Sequence, residues 1–262
     1  MPSAVALVRE ISPALARCEL THLTRVPIDV ALAEAQHANY VEALAEAGCR
    51  VERLPTASDL PDSVFIEDIA IVFDELAIIT RPGAESRRGE TPVVADAVAR
   101  YREVRRIEAP GTIDGGDVLV CGRQVFVGES TRTNAAAIEQ MRGILGPFGY
   151  TVCPLRVGGY LHLKSAVTLV AERLLLANPA WIDGDAFRGY KIVGVAAGEP
   201  AAANALGLRD RVILPAAFPR TAERLRAHGL TVTPVDVGEL AKAEGGVTCC
   251  SLIVNEPLAT QD

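Results

Sequence analysis

No stretch of this chain approaches the roughly 18 consecutive apolar residues that a membrane-spanning helix needs. The apolar opening "MPSAVALVREIS" is cut short by Arg9 and Glu10, which reads against a secretory signal peptide. A basic excess is missing too: 26 Lys and Arg stand against 33 Asp and Glu, for a formal net charge of −7. With no basic stripe to release counterions, nucleic acid is excluded as a partner, whereas a small cation suits the balance. The six cysteines at 18, 49, 121, 153, 249 and 250 contain no CxxC pair and no metal-finger spacing. Scattered in this way, they point to a thiol-reduced, cytoplasmic protein without a metal site. Linkers and low-complexity segments are also absent, so residues 1–262 are expected to form a single domain. Nothing in the sequence fixes an oligomeric state, and a homodimer stays open.

What is present is a large apolar content, 49% of 262 residues, arranged as a repeat. "IAIVFDELAIITRP" (69–82) is apolar, then polar at Asp74-Glu75, then apolar again. "VLVCGRQVFVGES" (118–130), "AVTLVAERLLLANP" (166–179) and "ALGLRDRVILPAA" (205–217) repeat the pattern, with turns near 122, 172 and 209. Each reads as a β-hairpin whose strands are too apolar for a solvated sheet. "SLIVNEP" (251–257) looks like half of a fifth, and "AVALVREIS" (4–12) could supply its missing strand. Helical stretches separate the hairpins. Residues 28–48 carry apolar residues at helical spacing between an early Asp29 and Gly48. Residues 91–104 open on Thr91 as cap and Pro92 at the first helical position. Residues 131–149 and 221–229 behave likewise. The period of about 40–50 residues predicts an α/β array of propeller or solenoid type, closed through the N-terminal strand.

Polar residues recur just ahead of each hairpin: Glu67-Asp68, Asp114, His162, Asn204 and Cys249. If the repeats are related by rotation about one axis, these positions converge on it. A Cys, a His and three carboxylates in one pocket form an inventory for nucleophilic catalysis. The thiolate of Cys249 is the reactive form, His162 can act as general acid and base, and Asp114 can orient the imidazole. Glu67 and Asp68 suit a flat cation such as a guanidinium, whose fork of donors carboxylates accept in pairs. Cys18, Cys49, Cys121 and Cys153 read as packing residues. Cys250, alternating away from Cys249 along a strand, reads the same way.

The segments "FIEDIAIVFDELAIITRPGAESRR", "TIDGGDVLVCGRQVFVGESTRTN", "LHLKSAVTL" and "GGVTCCSLIVN" resemble the dimethylarginine dimethylaminohydrolase family, over about Val8 to Asn255. The resemblance implies the pentein fold of guanidine-modifying enzymes, a five-bladed α/β propeller of pseudo-fivefold ββαβ-type repeats. It implies hydrolysis of N-ω,N-ω-dimethyl-L-arginine, and of the monomethyl compound, to citrulline without any cofactor or metal. Carried over residue by residue, Cys249 is the nucleophile, His162 the general acid/base and Asp114 its carboxylate. Glu67 and Asp68 hold the guanidinium. Arg87 and Arg132 take the α-carboxylate, Asp62 the α-amine, and Leu20 and Ala243 offer backbone contacts.

Three other readings compete. Arginine deiminases share the nucleophile and its "GG" lead-in but carry an acid two residues after the His, where this chain has Lys164. Arginine or hydroxyarginine as substrate would follow from that reading. A non-catalytic binder on the same scaffold need not keep Cys249, His162 and Asp114 together. A metal site from Asp114, His162 and Cys249 would leave Glu67, Asp68, Arg87 and Arg132 without a role.

Overall fold

The computed structural model describes residues 4–255, so the last two residues of the 251–257 stretch lie outside it. Strand β1 (Ala4–Arg9) leads through helix α1 (Val30–Glu46) to β2 (Cys49–Leu54), which pairs parallel with β1. The α1 start follows from its cap: Asp29 accepts a hydrogen bond from Leu32 N at 3.0 Å. Gly48, at φ +89°, turns the chain out of the helix where other residues would be strained.

Three full repeats of hairpin, connection and parallel return strand follow, with a fourth between them that lacks a long helix. In the first, β3 (Ala70–Val72) and β4 (Leu76–Ile79) are antiparallel, and α2 (Thr91–Ala99) returns the chain to β5 (Glu103–Arg106), parallel to β4. In the second, β6 (Val118–Cys121) and β7 (Gln124–Glu129) are followed by α3 (Ala135–Leu145) and β8 (Thr151–Arg156). The single-turn α4 (Leu163–Ala166) precedes β9 (Val167–Ala171) and β10 (Leu174–Ala177). There one 3₁₀ turn, Gly184–Phe187, replaces the helix before β11 (Lys191–Gly194). The last repeat runs β12 (Leu206–Leu208), β13 (Arg211–Pro215), α5 (Pro219–Ala227) and β14 (Thr231–Val235). After the short α6 (Gly238–Ala241), β15 (Leu252–Asn255) pairs antiparallel with β1.

The outcome is five three-stranded mixed sheets, the fifth assembled from both ends of the described chain. Hairpin turns at 74, 122, 172 and 209 fall where the polar interruptions predict them. First strands of different sheets lie against one another: β15 on β3, β6 on β9, β9 on β12. No helix among the described residues is long and apolar enough to cross a membrane.

Two sequence expectations need correction. Helix α2 stops at Ala99, and residues 103–106 are strand rather than helix. "EVRR" has no apolar face of its own, and hydrogen bonding to β4 decides its conformation. Thr91 is also inside the helix rather than its cap; its hydroxyl donates to the Arg88 carbonyl at 3.0 Å.

The core lies between neighbouring sheets and the connections packed against them, in five buried clusters among the described residues. Where the fourth repeat lacks a long helix, Phe187 fills the space, its ring centroid 4.7 Å from that of Phe126 on β7. Both rings are essentially inaccessible. Phe126→Ala should therefore lower the unfolding free energy by about 3–5 kcal/mol, read from urea titrations. A cost under about 1 kcal/mol would show that the site collapses around the cavity.

Candidate active site

The same short turn recurs at the entry to the hairpins. Residues Ile66–Ile69 and Gly115–Asp117 form 3₁₀ turns, α4 forms a single α turn, and residues 247–250 turn before β15. These turns present Glu67 and Asp68, Asp114, His162 and Cys249, all buried. Cys249, His162, Asp114 and Asp68 line one small cavity with Asp62, Arg87, Arg132 and Ala243. A larger cavity of about 320 Å³ adjoins it and shares Cys249 and His162.

The glycines of "DGGD" permit this convergence by lacking side chains. A Cβ on Gly115 would stand 2.0 Å from the Glu67 carbonyl oxygen, and one on Gly116 2.5 Å from His162 Nδ1. Gly116 N in turn donates to Asp68 Oδ1 at 3.0 Å.

His162 lies between two acids. Its Nε2 is 3.2 Å from Asp114 Oδ2, and its Nδ1 is 3.8 Å from Asp68 Oδ1. Burial alone would favour neutral imidazole, but Asp68, the Asp114 hydrogen bond and Asp117 outweigh it and lift the His162 pKa to about 9. Cys249 moves the same way for a different reason. Burial, then the charges of Glu67 and Asp68, push its thiol up to about 12, against weak help from Gly246 N at 3.4 Å. The resting pair is thus a neutral thiol beside an imidazolium.

Asp68 stays ionised despite complete burial, because His162 and Arg87 outweigh the desolvation cost. Its Oδ2 meets Arg87 NH1 at 2.6 Å. The Arg87 guanidinium also donates to Glu90 at 2.9 and 3.1 Å and to the Asp62 and Phe65 carbonyls. Arg87 therefore reaches the cavity with most of its donors already engaged. Glu67 is engaged likewise, by Lys164 Nζ at 2.7 Å and the Thr248 hydroxyl at 2.8 Å. It lines the larger cavity rather than the small one. Burial raises the Asp62 carboxyl to about 6, partly offset by Arg87 and by the Glu19 N–H that it accepts at 3.1 Å. Arg132 donates to the Thr21 hydroxyl at 2.8 Å. Leu20 packs against the core beside α1 and does not line the small cavity. Cys250 is buried in the same core cluster as Cys249; residues 247–250 form a turn, so strand alternation does not separate the two thiols.

Several residues at the site escape sequence reasoning. Asp117, the second acid of "DGGD", is fully buried and accepts from Ser130 Oγ at 2.6 Å, Thr133 Oγ1 at 2.7 Å and Leu163 N at 3.0 Å. It thereby fixes the residue after His162. Glu244, at the strained φ of +58°, accepts the backbone N–H groups of Thr21, His22 and Leu23 at 2.6–2.8 Å. That carboxylate holds residues 21–23 beside the cavity. For a metal, Asp68, Asp114 and His162 offer three ligand atoms within 4.8 Å of one another. The Asp68 pairing with Arg87 and the Asp114 pairing with His162 compete with that use.

A family model described as eukaryotic N,N dimethylarginine dimethylhydrolase matches residues 24–254. An N(G),N(G)-dimethylarginine dimethylaminohydrolase of Streptomyces coelicolor is 43% identical over 259 residues, 98% of this chain and 99% of that protein. The Pseudomonas aeruginosa protein of the same name is 41% identical over 226 residues, covering 86% of this chain and 89% of its own. A crystal structure of the P. aeruginosa protein, a cysteine-to-serine mutant complexed with citrulline, superposes with a TM-score of 0.92. It is 38% identical and covers 97% of this chain and 100% of that one.

The His162 environment makes a testable statement. Its pKa in the folded protein, about 9, exceeds the ordinary 6.5. Its stabilising contribution is therefore complete below about pH 6.5 and is lost as pH rises through about 9. NMR titration of the His162 ring should give a midpoint near 9, and Asp114→Asn should lower it. A midpoint near 6.5 in the wild-type protein would contradict this charge balance.

Proposed function

The chain belongs to the dimethylarginine dimethylaminohydrolase family, and from that premise we propose that Cys249, His162 and Asp114 carry out its hydrolysis. The enzyme converts N-ω,N-ω-dimethyl-L-arginine to L-citrulline and dimethylamine; monomethylarginine is the second substrate of this reading. The observation that supports these roles is the burial of Cys249, His162, Asp114 and Asp68 around one cavity, contributed by four remote turns.

The charge balance orders the steps. A free thiol with a pKa near 12 is a poor nucleophile at neutral pH. The substrate guanidinium, arriving beside Glu67 and Asp68, offsets the charges that oppose ionisation. The thiol proton passes to solvent and the Cys249 thiolate adds to the guanidinium carbon, giving a neutral tetrahedral species. The His162 imidazolium, already protonated, donates its proton to the dimethylamino nitrogen. The C–N bond breaks, dimethylamine departs, and a cationic thiouronium remains on Cys249. Neutral His162 then takes a proton from a water that adds to the same carbon. Collapse expels the thiolate, and loss of the hydroxyl proton leaves the urea of citrulline. Asp114 holds the imidazole ring throughout and offsets its charge when it is protonated.

At the other end of the substrate, Asp62 receives the α-amine, Arg132 and the remaining Arg87 donor take the α-carboxylate, and Ala243 and Leu20 offer backbone groups. The small cavity, about 20 Å³, has room for little more than one water. Substrate entry on this reading displaces residues 19–23. The five sheets are read as blades of a closed α/β propeller formed by residues 1–262 acting as one domain. The sharing of one sheet by β1 and β15 supports closure. A cytoplasmic setting rests on the scattered free cysteines.

Citrulline assays with dimethylarginine, monomethylarginine and arginine separate this reading from a deiminase. Cys249→Ser is expected to abolish citrulline release, with a loss of about 10³-fold or more, whereas Cys250→Ser retains it. An active Cys249→Ser protein would sink the proposed chemistry.

A further inference from the structure

One residue at a hairpin entry makes none of the bonds that change in this reaction. Asn204 occupies that position ahead of β12, where its counterparts in other repeats supply an acid, an imidazole or a thiol. Its side chain reaches instead across to the turn that carries Cys249. Asn204 Oδ1 accepts from Thr248 N at 3.1 Å. Its Nδ2 donates to the Lys164 carbonyl at 3.3 Å and to Thr248 Oγ1 at 2.9 Å.

The direction of this network is determined by its fixed partners. The backbone N–H of Thr248 can only donate and the Lys164 carbonyl can only accept, so the amide has one compatible orientation. Thr248 Oγ1, accepting from Asn204, has its own proton free for Glu67 Oε2 at 2.8 Å. Glu67 completes the circuit through Lys164 at 2.7 Å. Packing enforces the same arrangement. A Cβ on Gly246 would lie 2.3 Å from Asn204 Oδ1, so the turn closes on Asn204 only because residue 246 is glycine. Gly246 N also donates to the Cys249 sulfur, at 3.4 Å.

We propose that Asn204 is a positioning residue for the nucleophile: its carboxamide clamps residues 246–248 and directs the Thr248 hydroxyl onto Glu67. The inference rests on the reading of Cys249 as nucleophile. Asn204 touches no reacting atom. It sets where Sγ sits and keeps Glu67 turned toward the substrate cation.

Removing the clamp lets the sulfur drift, and misplacement of about 1 Å can cost about 100-fold in rate. Asn204→Ala should lower kcat for dimethylarginine by about that factor, with the loss carried by kcat rather than KM. Asn204→Asp keeps the acceptor for Thr248 N, but its carboxylate cannot donate to Thr248 Oγ1 or the Lys164 carbonyl. Protonated, the same side chain again offers one donor and one acceptor. The charged and titratable groups that share a cavity with it include Glu67, His162, Lys164, Asp236, Glu244 and Cys249. The kcat ratio of Asn204→Asp to wild type should therefore climb as pH falls, while the ratio for Asn204→Ala stays flat. Thermal unfolding is measured beside both. Wild-type kcat in the two variants would overturn the inference alone. A kcat loss that follows the loss of folded protein, and is recovered on cooling, would also overturn it. Absence of citrulline from the wild-type protein would instead overturn the underlying reading, and the inference with it.

Discussion

The constraint on which the site depends is the burial of four carboxylates, Glu67, Asp68, Asp114 and Asp117, around one imidazole and one thiol. A buried carboxylate without a partner costs several kcal/mol, so each needs compensation nearby. Glu67 has Lys164, Asp68 has Arg87, and Asp114 has His162 and the Gly83 N–H at 2.9 Å. Asp117 is served only by neutral donors, and burial accordingly raises its pKa. The protonation of the site follows from this arrangement. His162 is held as a cation because it is part of the compensation. Cys249 is held as a thiol first by its burial and then by the negative field of Glu67 and Asp68.

The fold supplies the convergence through repetition. A hairpin whose first strand starts from a tight turn presents the side chains of that turn at the same end of each sheet. Much of this was legible in the sequence. Apolar runs broken by one polar pair locate the hairpins around 74, 122, 172 and 209, because no buried strand carries such a pair in its interior. The half-hairpin near the C-terminus calls for a partner, and β1 provides it. Once the repeats are aligned, residues 67, 68, 114, 162 and 249 stand out because polar and reactive side chains are costly at the edge of an apolar strand.

What was not legible depends on contacts between repeats. Arg87 reads from sequence as a cation free to bind a carboxylate, whereas the fold surrounds it with Asp68 and Glu90. Asp117 carries no local sign of its role, because nothing near it in sequence reveals that Ser130, Thr133 and the Leu163 amide face it. Glu244 is followed by two glycines in a segment without periodicity, and its role depends on residues more than two hundred positions away. The misjudged end of α2 has the same origin: "EVRR" becomes a strand because β4 offers it hydrogen-bonding partners.

Low intrinsic reactivity and affinity for a cation are consequences of one arrangement here. Glu67 and Asp68 oppose ionisation of Cys249 and are also the groups suited to a guanidinium. Neutralising either one would ease thiolate formation in the empty site but weaken the attraction for the molecule to be attacked. On the proposed reading, burial and both charges together keep Cys249 a thiol until a cation is bound. The same field raises the His162 pKa, so on the proposed mechanism the acid needed for amine departure is in place before attack begins. On that proposed mechanism, activation is one electrostatic event, the arrival of positive charge, rather than a proton transfer within a preformed ion pair.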